Sequence, residues 1–275
     1  MTGAFWRRFL VPGGLWLVFF FAFPFGIAIA ISLGTPADLG GVIYGFSPSN
    51  YADALDPLFL PVLLRSVAYA FATAAICLLL GYPVAYCIAR YGGRYKNALI
   101  AAVLVPFLAN YLVRTYAWVA LLADEGLVNQ LAGESIGFLN TPWAVIGGLV
   151  YGYLGYMILP IYASLERMDP ALIEAGKDLY GSPRQTFWHV TWPQTVPGVL
   201  AGTVLVFLPA VGDFISAQLL GGPDTYMIGN LIQQQFYSSD NWPFGSALTV
   251  VLMAFLMIFM VFYLRGSEAR REALA

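Results

Sequence analysis

The polar side chains that could carry chemistry are concentrated in residues 169–198, a stretch that interrupts an otherwise apolar sequence. Asp169 followed by a proline is a helix-start signal, because it places a capping residue before proline at the first helical position. The helix predicted from there places Glu174 and Asp178 four residues apart, with Lys177 close to both. These groups donate and accept hydrogen bonds without forming a catalytic set, so they predict recognition of a partner outside the membrane.

A second interpretation of this helix is that it lies flat on lipid headgroups. Interfacial helices of that kind are rich in Lys and Arg and turn Trp or Phe toward the lipid. Residues 170–181 hold one Lys and two acids, which favours docking to a protein. The sequence Gly-Ser-Pro at residues 181–183 then ends the helix.

Two charged residues, Arg114 and Asp213, lie well inside apolar segments, more than four residues from either end. A charge at the centre of a membrane helix costs about 2.5 to 3.5 kcal/mol on insertion scales, so neither side chain is expected to face lipid. One interpretation is that they pair with each other or with polar neighbours. The other is that Asp213 faces a translocation path and attracts an ammonium group. Pro209 and Gly212, just before it, predict a kinked or loosened helix.

Aromatic side chains are frequent near the predicted ends of the apolar segments: Tyr111, Tyr116, Trp118, Trp143, Tyr151, Tyr153, Tyr156 and Trp242. Aromatic belts at the membrane interface explain such placement. Aromatic faces also bind organic cations through cation–π attraction, worth about 0.5 to 2 kcal/mol each. The candidates for a substrate path are Asp213, Arg114, Tyr116, Trp118 and Trp242.

Several functional classes are excluded by what the sequence lacks. It contains no G-x-x-x-x-G-K-[ST] phosphate loop, so nothing in it predicts ATP hydrolysis. His189 is the single histidine, and Cys77 and Cys87 lie ten residues apart in one apolar segment, so no metal-ligand spacing exists. We therefore expect no catalytic residue, no metal and no cofactor bound by this chain. If the chain drives uphill transport, the energy must come from a partner or from an ion gradient.

The elements that must position these residues are membrane helices. The chain is 60% hydrophobic and 10% charged, against roughly 25% charged in soluble domains. Six apolar segments reach the roughly 20 residues that a span requires, at residues 11–33, 61–89, 98–122, 142–165, 196–220 and 244–264. We expect one domain over residues 1–275 with a polar loop at 166–195. Gly148 and Gly152 form a small-xxx-small pair that predicts close helix packing.

The orientation of the spans follows from the basic residues. Eleven of the thirteen Lys and Arg lie on one side of the predicted spans, at both termini and in the loops around residues 90–96 and 167–184. The opposite loops, residues 34–60, 123–141 and 221–243, contain none. The positive-inside rule therefore places both termini and the 166–195 loop in the cytoplasm.

The 166–195 loop resembles the coupling segment of the inner-membrane permeases of ABC importers. The signature of that segment is E-A-A, three residues, G, nine residues, I, one residue and L-P. Residues 174–176, Glu-Ala-Gly, take the place of E-A-A, and residues 190–193 end the segment at the right spacing. Tyr180 occupies the expected glycine position with Gly181 one residue later, and Trp192 replaces the usual Leu.

Other segments are similar to the spermidine/putrescine importer permeases, and to the first of the two permease types in particular. The matching runs lie at residues 50–51, 56–58, 63–66, 81–86, 113–116, 228–230 and 242–245. This resemblance covers nearly the whole chain.

The resemblance implies an all-α integral membrane protein with six transmembrane helices, the type I ABC importer permease fold and a cytoplasmic coupling helix. It implies docking of an ATPase at Glu174, Ala175, Gly176, Lys177, Asp178, Leu179, Tyr180, Gly181, Ser182 and Pro193. The implied partners are a second homologous permease in a heterodimer, a cytoplasmic ATPase dimer that binds ATP and Mg, an external solute-binding protein and membrane lipid, with no nucleic acid. The implied location is the bacterial inner membrane, with multiple spans and both termini cytoplasmic.

The implied function is to form half of the translocation path for a small organic cation, spermidine or putrescine first, with ATP hydrolysis on a separate subunit. A permease for another small solute, such as an amino-acid-like compound, an opine or an aminophosphonate, is the alternative. An ion-coupled secondary transporter is a further one, although such transporters usually show repeated halves and several intramembrane acids. The sequence leaves open the substrate, the partner permease and whether Asp213 binds substrate or pairs with Arg114.

Overall fold

The computed structural model describes residues 3–37, 41–133 and 137–272, and it describes side chains from Val11 onward except at residues 132, 264 and 266–272. The described residues form helices joined by short loops, with one two-strand hairpin. The helices are α1 (Gly3–Ser32), α2 (Ser49–Ala54), α3 (Leu60–Tyr91), α4 (Lys96–Leu108), α5 (Tyr111–Leu122), α6 (Leu127–Ala132), α7 (Pro142–Arg167), α8 (Pro170–Tyr180), α9 (Pro183–Thr186), α10 (Trp192–Val211), α11 (Ile215–Leu220), α12 (Ile228–Tyr237) and α13 (Trp242–Glu272). The strands β1 (Thr35–Pro36) and β2 (Val42–Ile43) pair antiparallel.

Five helical segments among the described residues are long and apolar enough to cross a bilayer, namely Val11–Ser32, Leu60–Tyr91, Pro142–Arg167, Pro183–Val211 and Trp242–Tyr263. The segments Gly93–Leu108 and Tyr111–Leu131 meet at an angle of 87°. If this bent pair crosses the bilayer as one unit, it forms a sixth span. The predicted count of six therefore depends on a bent pair of helices.

Two predicted spans are not single helices. The span predicted over residues 98–122 consists of two helices, because Ala109 is extended and the Asn110 side chain starts α5 by accepting a hydrogen bond from the Leu112 amide at 2.9 Å. The span predicted over residues 196–220 is also interrupted, since α10 ends at Val211 and α11 begins only at Ile215. The loosening predicted before Asp213 is thus a complete break.

Chain contacts divide the protein into two units. The first unit comprises residues 1–60 and 231–259. Within it the Asn50 side chain, which is 8% exposed, donates to the carbonyl oxygens of Ser32 and Gly34 at 2.8 Å each. This bond pair joins the end of α1 to α2. The Phe59 and Phe244 rings pack 5.4 Å apart at the start of α13.

The second unit comprises residues 61–230 and 260–275, and α7 is its most buried span. Glycines of α10 allow the close approach of α7. A Cβ on Gly202 would lie 2.8 Å from the Met157 sulfur, and a Cβ on Gly198 would clash with the Pro160 carbonyl oxygen. The two candidate sites predicted from the sequence both lie in this unit, one in the loop that follows α7 and one at the α10–α11 break.

Candidate coupling surface and intramembrane carboxylate

Helix α8 begins and ends where the sequence predicts. The Asp169 side chain accepts a hydrogen bond from the Ala171 amide at 2.9 Å, and Pro170 occupies the first helical position. Gly181 ends the helix in the left-handed conformation, with φ of 66°. Both caps satisfy backbone groups that a short helix would otherwise leave unpaired, so α8 is defined by local sequence.

Gly176 faces inward, toward the chain's own loop. It is the buried residue of α8, and a Cβ added to it would lie 2.8 Å from Val190 and 3.0 Å from Thr186. Both neighbours belong to the segment of α9 and the π-helical turn Phe187–Thr191. The small residue in the Glu-Ala-Gly run therefore brings α8 against this segment.

Tyr180, which stands at the glycine position of the family signature, stacks on the His189 ring at a centroid distance of 4.8 Å. His189 Nδ1 is 2.9 Å from the Gln185 carbonyl oxygen, which fixes the ring. Gly181, one residue later, takes the left-handed conformation that ends the helix. The glycine is therefore shifted by one residue relative to the signature, and the turn is still present.

The opposite face of α8 is exposed. Glu174, Ala175, Lys177 and Asp178 are all exposed, and none of these charged groups forms an ion pair with a described residue. Leu179 is 76% exposed. Exposed apolar and charged side chains on one capped helix form a surface suited to a protein partner.

The two remaining residues predicted for docking have local roles. Ser182 caps α9 by accepting a hydrogen bond from the Gln185 amide at 3.3 Å. Pro193 is half-buried in the first turn of α10. They shape the loop on which α8 is held.

Asp213 lies at the break between α10 and α11 and is 7% exposed. Its Oδ2 accepts hydrogen bonds from the Tyr111 hydroxyl at 2.6 Å and the Tyr153 hydroxyl at 2.9 Å. Its Oδ1 accepts from the Ser216 amide at 2.7 Å, which caps α11. All three donors are neutral, so a buried carboxylate is solvated by hydrogen bonds while its charge is left without a counter-ion among the described residues.

The Arg114–Asp213 ion pair, one of the two interpretations left open by the sequence, is not formed in the structure. The Arg114 guanidinium instead lies over the rings of Tyr111, Tyr151 and Phe107, at 5.5, 5.7 and 5.9 Å from their centroids. Its Nε is buried and has no hydrogen-bond acceptor in the described chain. Tyr111 thus contacts the cation through its ring and the anion through its hydroxyl.

Glycines of α7 make room for this arrangement. A Cβ on Gly152 would lie 2.7 Å from the Tyr111 ring, and a Cβ on Gly148 would clash with Leu220 of α11. The predicted small-xxx-small pair therefore permits close packing, as expected, and one of its members sets the position of Tyr111.

Residues at the start of α12 stabilise the break between α10 and α11. The Asn230 side chain, 2% exposed, donates to the Phe214 carbonyl oxygen at 2.8 Å, and Gly229 approaches so closely that a Cβ would fall on the Gly212 carbonyl oxygen. The Ser66 hydroxyl accepts from the Ile228 amide at 2.7 Å. Two of the runs noted in the sequence, 63–66 and 228–230, therefore meet here.

The other substrate-path candidates have their own local surroundings. Tyr116 is 59% exposed, and Trp118 packs edge-on against Tyr151 at 5.7 Å. Trp242 belongs to the first unit, where it contacts Phe236. Tyr111 and Tyr153 were not among these candidates, and the structure shows that they are the direct partners of Asp213.

Apolar helices broken at polar residues, with a capped amphipathic helix between two spans, are the features of a membrane permease. The chain belongs to the family described as Binding-protein-dependent transport system inner membrane component, which matches residues 8–272. It is a transport subunit, and ATP hydrolysis in such importers resides on a separate subunit.

Named relatives cover most of the chain. The spermidine/putrescine transport system permease protein PotB of Haemophilus influenzae is 36% identical over 259 residues, covering 92% of this chain and 91% of that protein. PotB of Escherichia coli is 38% identical, and the match covers 92% of this chain and 94% of that protein. The inner membrane ABC transporter permease protein YdcU of Escherichia coli is 35% identical over 240 residues, covering 80% and 73%.

Solved structures share the fold. A bacterial ABC transporter that imports the acidic polysaccharide alginate matches with a TM-score of 0.69 at 17% identity, over 96% of this chain and 95% of that one. An inward-facing MetNI methionine ABC transporter matches with a TM-score of 0.61 at 19% identity, over 78% and 96%. The predicted type I ABC importer permease fold is confirmed.

Proposed function

We propose that this permease carries a polyamine, spermidine or putrescine, as its half of a heterodimeric translocation path. The observation that carries the proposal is the Asp213 carboxylate, which is buried between two spans and held only by neutral donors. The names of the relatives at 36% and 38% identity support the same substrate class.

The electrostatics of Asp213 favour a cation. An ammonium group that reaches the carboxylate adds a charge-assisted hydrogen bond worth about 1.5 to 3 kcal/mol before desolvation is subtracted. An anionic solute would meet repulsion at the same place. The three neutral donors hold the carboxylate in position without supplying the opposite charge, which leaves that charge to the substrate.

Uptake by the reconstituted importer tests this substrate assignment. The complete complex in proteoliposomes, with its external binding protein, is expected to accumulate radiolabelled spermidine or putrescine when ATP is enclosed. An excess of unlabelled polyamine should abolish the signal, whereas a neutral amino acid at equal concentration should leave it intact. Accumulation of the amino acid without polyamine uptake would refute the proposal.

The exposed face of α8 is proposed to dock on the cytoplasmic ATPase. Glu174 and Asp178 lie on that face together with exposed apolar groups, which supports a protein partner. Glu174→Lys is expected to uncouple ATP hydrolysis from uptake because it reverses a charge at the interface. Glu125→Lys, an exposed acid on the opposite side of the predicted spans, is the matched control. Wild-type coupling in Glu174→Lys, at equal complex assembly, would rule out docking through this face.

Both termini and α8 are proposed to lie in the cytoplasm of a bacterial cell. The support is the distribution of Lys and Arg, eleven of thirteen of which are on one side of the predicted spans. In a background lacking both native cysteines, Leu131→Cys, at a position 88% exposed, should react with an impermeant maleimide added to intact cells. Tyr95→Cys, at a position 58% exposed, should react only after the cells are opened. The reverse labelling pattern would overturn the orientation.

The proposed partners are a second homologous permease, an ATPase dimer that binds nucleotide and an external solute-binding protein. A structure of the alginate importer includes its periplasmic protein, which supports an assembly of this kind. Affinity purification of the tagged permease from its native membrane should recover an ATPase and a second permease. Recovery of this chain alone, under conditions that preserve other importers, would contradict the proposal.

A further inference from the structure

A cavity of about 410 Å³ lies between the last turn of α3 and the loop that carries α8. Its charged side chains come from two helices. Tyr86, Arg90 and Tyr91 line it from α3, and Glu174 and Lys177 line it from α8. The cavity therefore opens beside the helix whose outer face is proposed to dock the ATPase, and it reaches the end of a membrane span.

The Arg90 guanidinium lacks an acceptor in this cavity. Its Nε and Nη2 are buried without a hydrogen bond to any described residue, and Arg90 forms no ion pair there. The nearby Glu166 carboxylate is already occupied by Lys96, whose Nζ lies 2.7 and 2.9 Å from its two oxygens. A buried guanidinium without an acceptor is costly, so an anion from outside the chain would stabilise this region.

We propose that a carboxylate side chain of the cytoplasmic ATPase enters this cavity and pairs with Arg90. The inference rests on the proposed docking of α8 and extends it to a second transmembrane element, α3. Continuity supports a protein side chain, because Glu174 and Lys177 belong both to the cavity wall and to the exposed face of α8.

The charges of the cavity favour an anion. Arg90 and Lys177 contribute two positive charges, and Glu174 contributes one negative charge. The net charge of +1 attracts an anion. The planar guanidinium also fits a carboxylate in a two-bond geometry.

The pairing would connect the ATPase directly to the transport path. Arg90 is in the last turn of α3, and the same helix packs on α7 at Gly81, where a Cβ would lie 3.3 Å from Met157 and Ile158. A movement of the ATPase would then pull on α3 at the same time as on α8. Two attachment points on one subunit resist rotation about either one.

The affinity of the ATPase for the permease pair tests the inference. We expect Arg90→Gln, in the assembled permease pair in phosphatidylcholine nanodiscs, to weaken ATPase binding about 10- to 100-fold. Arg94→Gln is the matched control, because Arg94 lies one turn further on, stacks on Tyr95 at 4.7 Å and does not line the cavity. It should stay within about twofold of wild type. An unchanged affinity in Arg90→Gln, or an equal loss in both variants, would overturn the inference.

Photo-crosslinking keeps the inference testable if Arg90→Gln assembles poorly. A benzoylphenylalanine at Tyr91, which lines the cavity and is 78% exposed, should capture the ATPase in the otherwise wild-type complex. The same group at Tyr95, 58% exposed and outside the cavity, should capture far less. No capture at Tyr91 would overturn the inference.

Two further comparisons distinguish the carboxylate from a lipid headgroup or free phosphate, and the role of Arg90 from the docking of α8. If the Arg90→Gln effect appears only in nanodiscs with anionic lipid, or only when millimolar phosphate is present, the occupant is a headgroup or free phosphate and the carboxylate is refuted. If Glu174→Lys weakens ATPase binding and Arg90→Gln does not, α8 docking stands and only the role of Arg90 fails. If neither variant weakens binding, both fail.

Discussion

Gly152→Ala is the sharpest test of how α7 positions the intramembrane carboxylate. A Cβ at residue 152 would lie 2.7 Å from Tyr111 Cε2, about 0.7 Å closer than the 3.4 Å at which ordinary contact begins. The Tyr111 ring is also held at its far end, where the hydroxyl lies 2.6 Å from Asp213 Oδ2. The ring must therefore give way, and a shift of that size takes the hydroxyl to about 3.3 Å, beyond the usual range for an O–H···O bond.

The expected cost combines two effects. Overpacking of a tightly packed site costs about 1 to 3 kcal/mol, and a lost hydrogen bond to a charged group removes about 1.5 to 3 kcal/mol of interaction. Partial relaxation makes the total smaller than the sum, so we expect a loss of about 1 to 3 kcal/mol and a melting temperature lowered by about 2 to 12 °C. Polyamine uptake should fall about tenfold or more, because the carboxylate loses one of its positioning bonds.

Gly147→Ala is the matched control for Gly152→Ala. It adds the same methyl group to the same helix, at a position where a Cβ meets nothing within 4 Å. Thermal unfolding of the purified permease and uptake in proteoliposomes should both be unchanged by it. In a Tyr111→Ala background the Gly152→Ala change should cost nothing further, since the clashing ring is gone. Equal behaviour of the two glycine variants in the wild-type background would refute the reasoning.

Further expectations concern the carboxylate and the coupling loop. Asp213→Asn keeps the shape and removes the charge, so it should slow cation uptake strongly while the complex still assembles. Arg114→Gln should not restore uptake to that variant, because the two groups form no ion pair, and a double mutant that transports normally would show that Asp213 is only a structural partner. Gly176→Ala, which installs the residue usual in the family signature, should destabilise the purified permease by about 1 kcal/mol or more, since its Cβ would lie 2.8 Å from Val190. An unchanged melting temperature would show that the loop yields without cost.

The coupling loop was predictable in detail because local chemistry determines it. Asp169 and Pro170 start α8, Gly181 ends it, and each acts within one turn of its own position. The surface against which Gly176 packs was not predictable, because it depends on a contact with Val190, fourteen residues later in the chain. The missing side chain at Gly176 admits the protein's own loop.

The intramembrane site was predicted only in part. A buried acid in an apolar segment is conspicuous by its cost, so Asp213 could be found from sequence. Its partners could not, because Tyr111 and Tyr153 lie on other spans and look like any tyrosine near a membrane interface. The only signal was indirect: Gly152 marks a place where something large comes close, and Asn110 just before Tyr111 is a helix cap in an apolar run.

The hydrogen-bond donors of Asp213 have a consequence for biogenesis. Both tyrosines precede it along the chain, Tyr111 by 102 residues and Tyr153 by 60. Ribosomes add about 5 to 20 residues per second, so about 3 to 12 s pass between the synthesis of Tyr153 and that of Asp213. The carboxylate therefore enters a bilayer that already contains both hydroxyl donors. The opposite order would leave a lone acid in hydrocarbon during that interval, and the N-to-C direction of translation removes this barrier to membrane insertion.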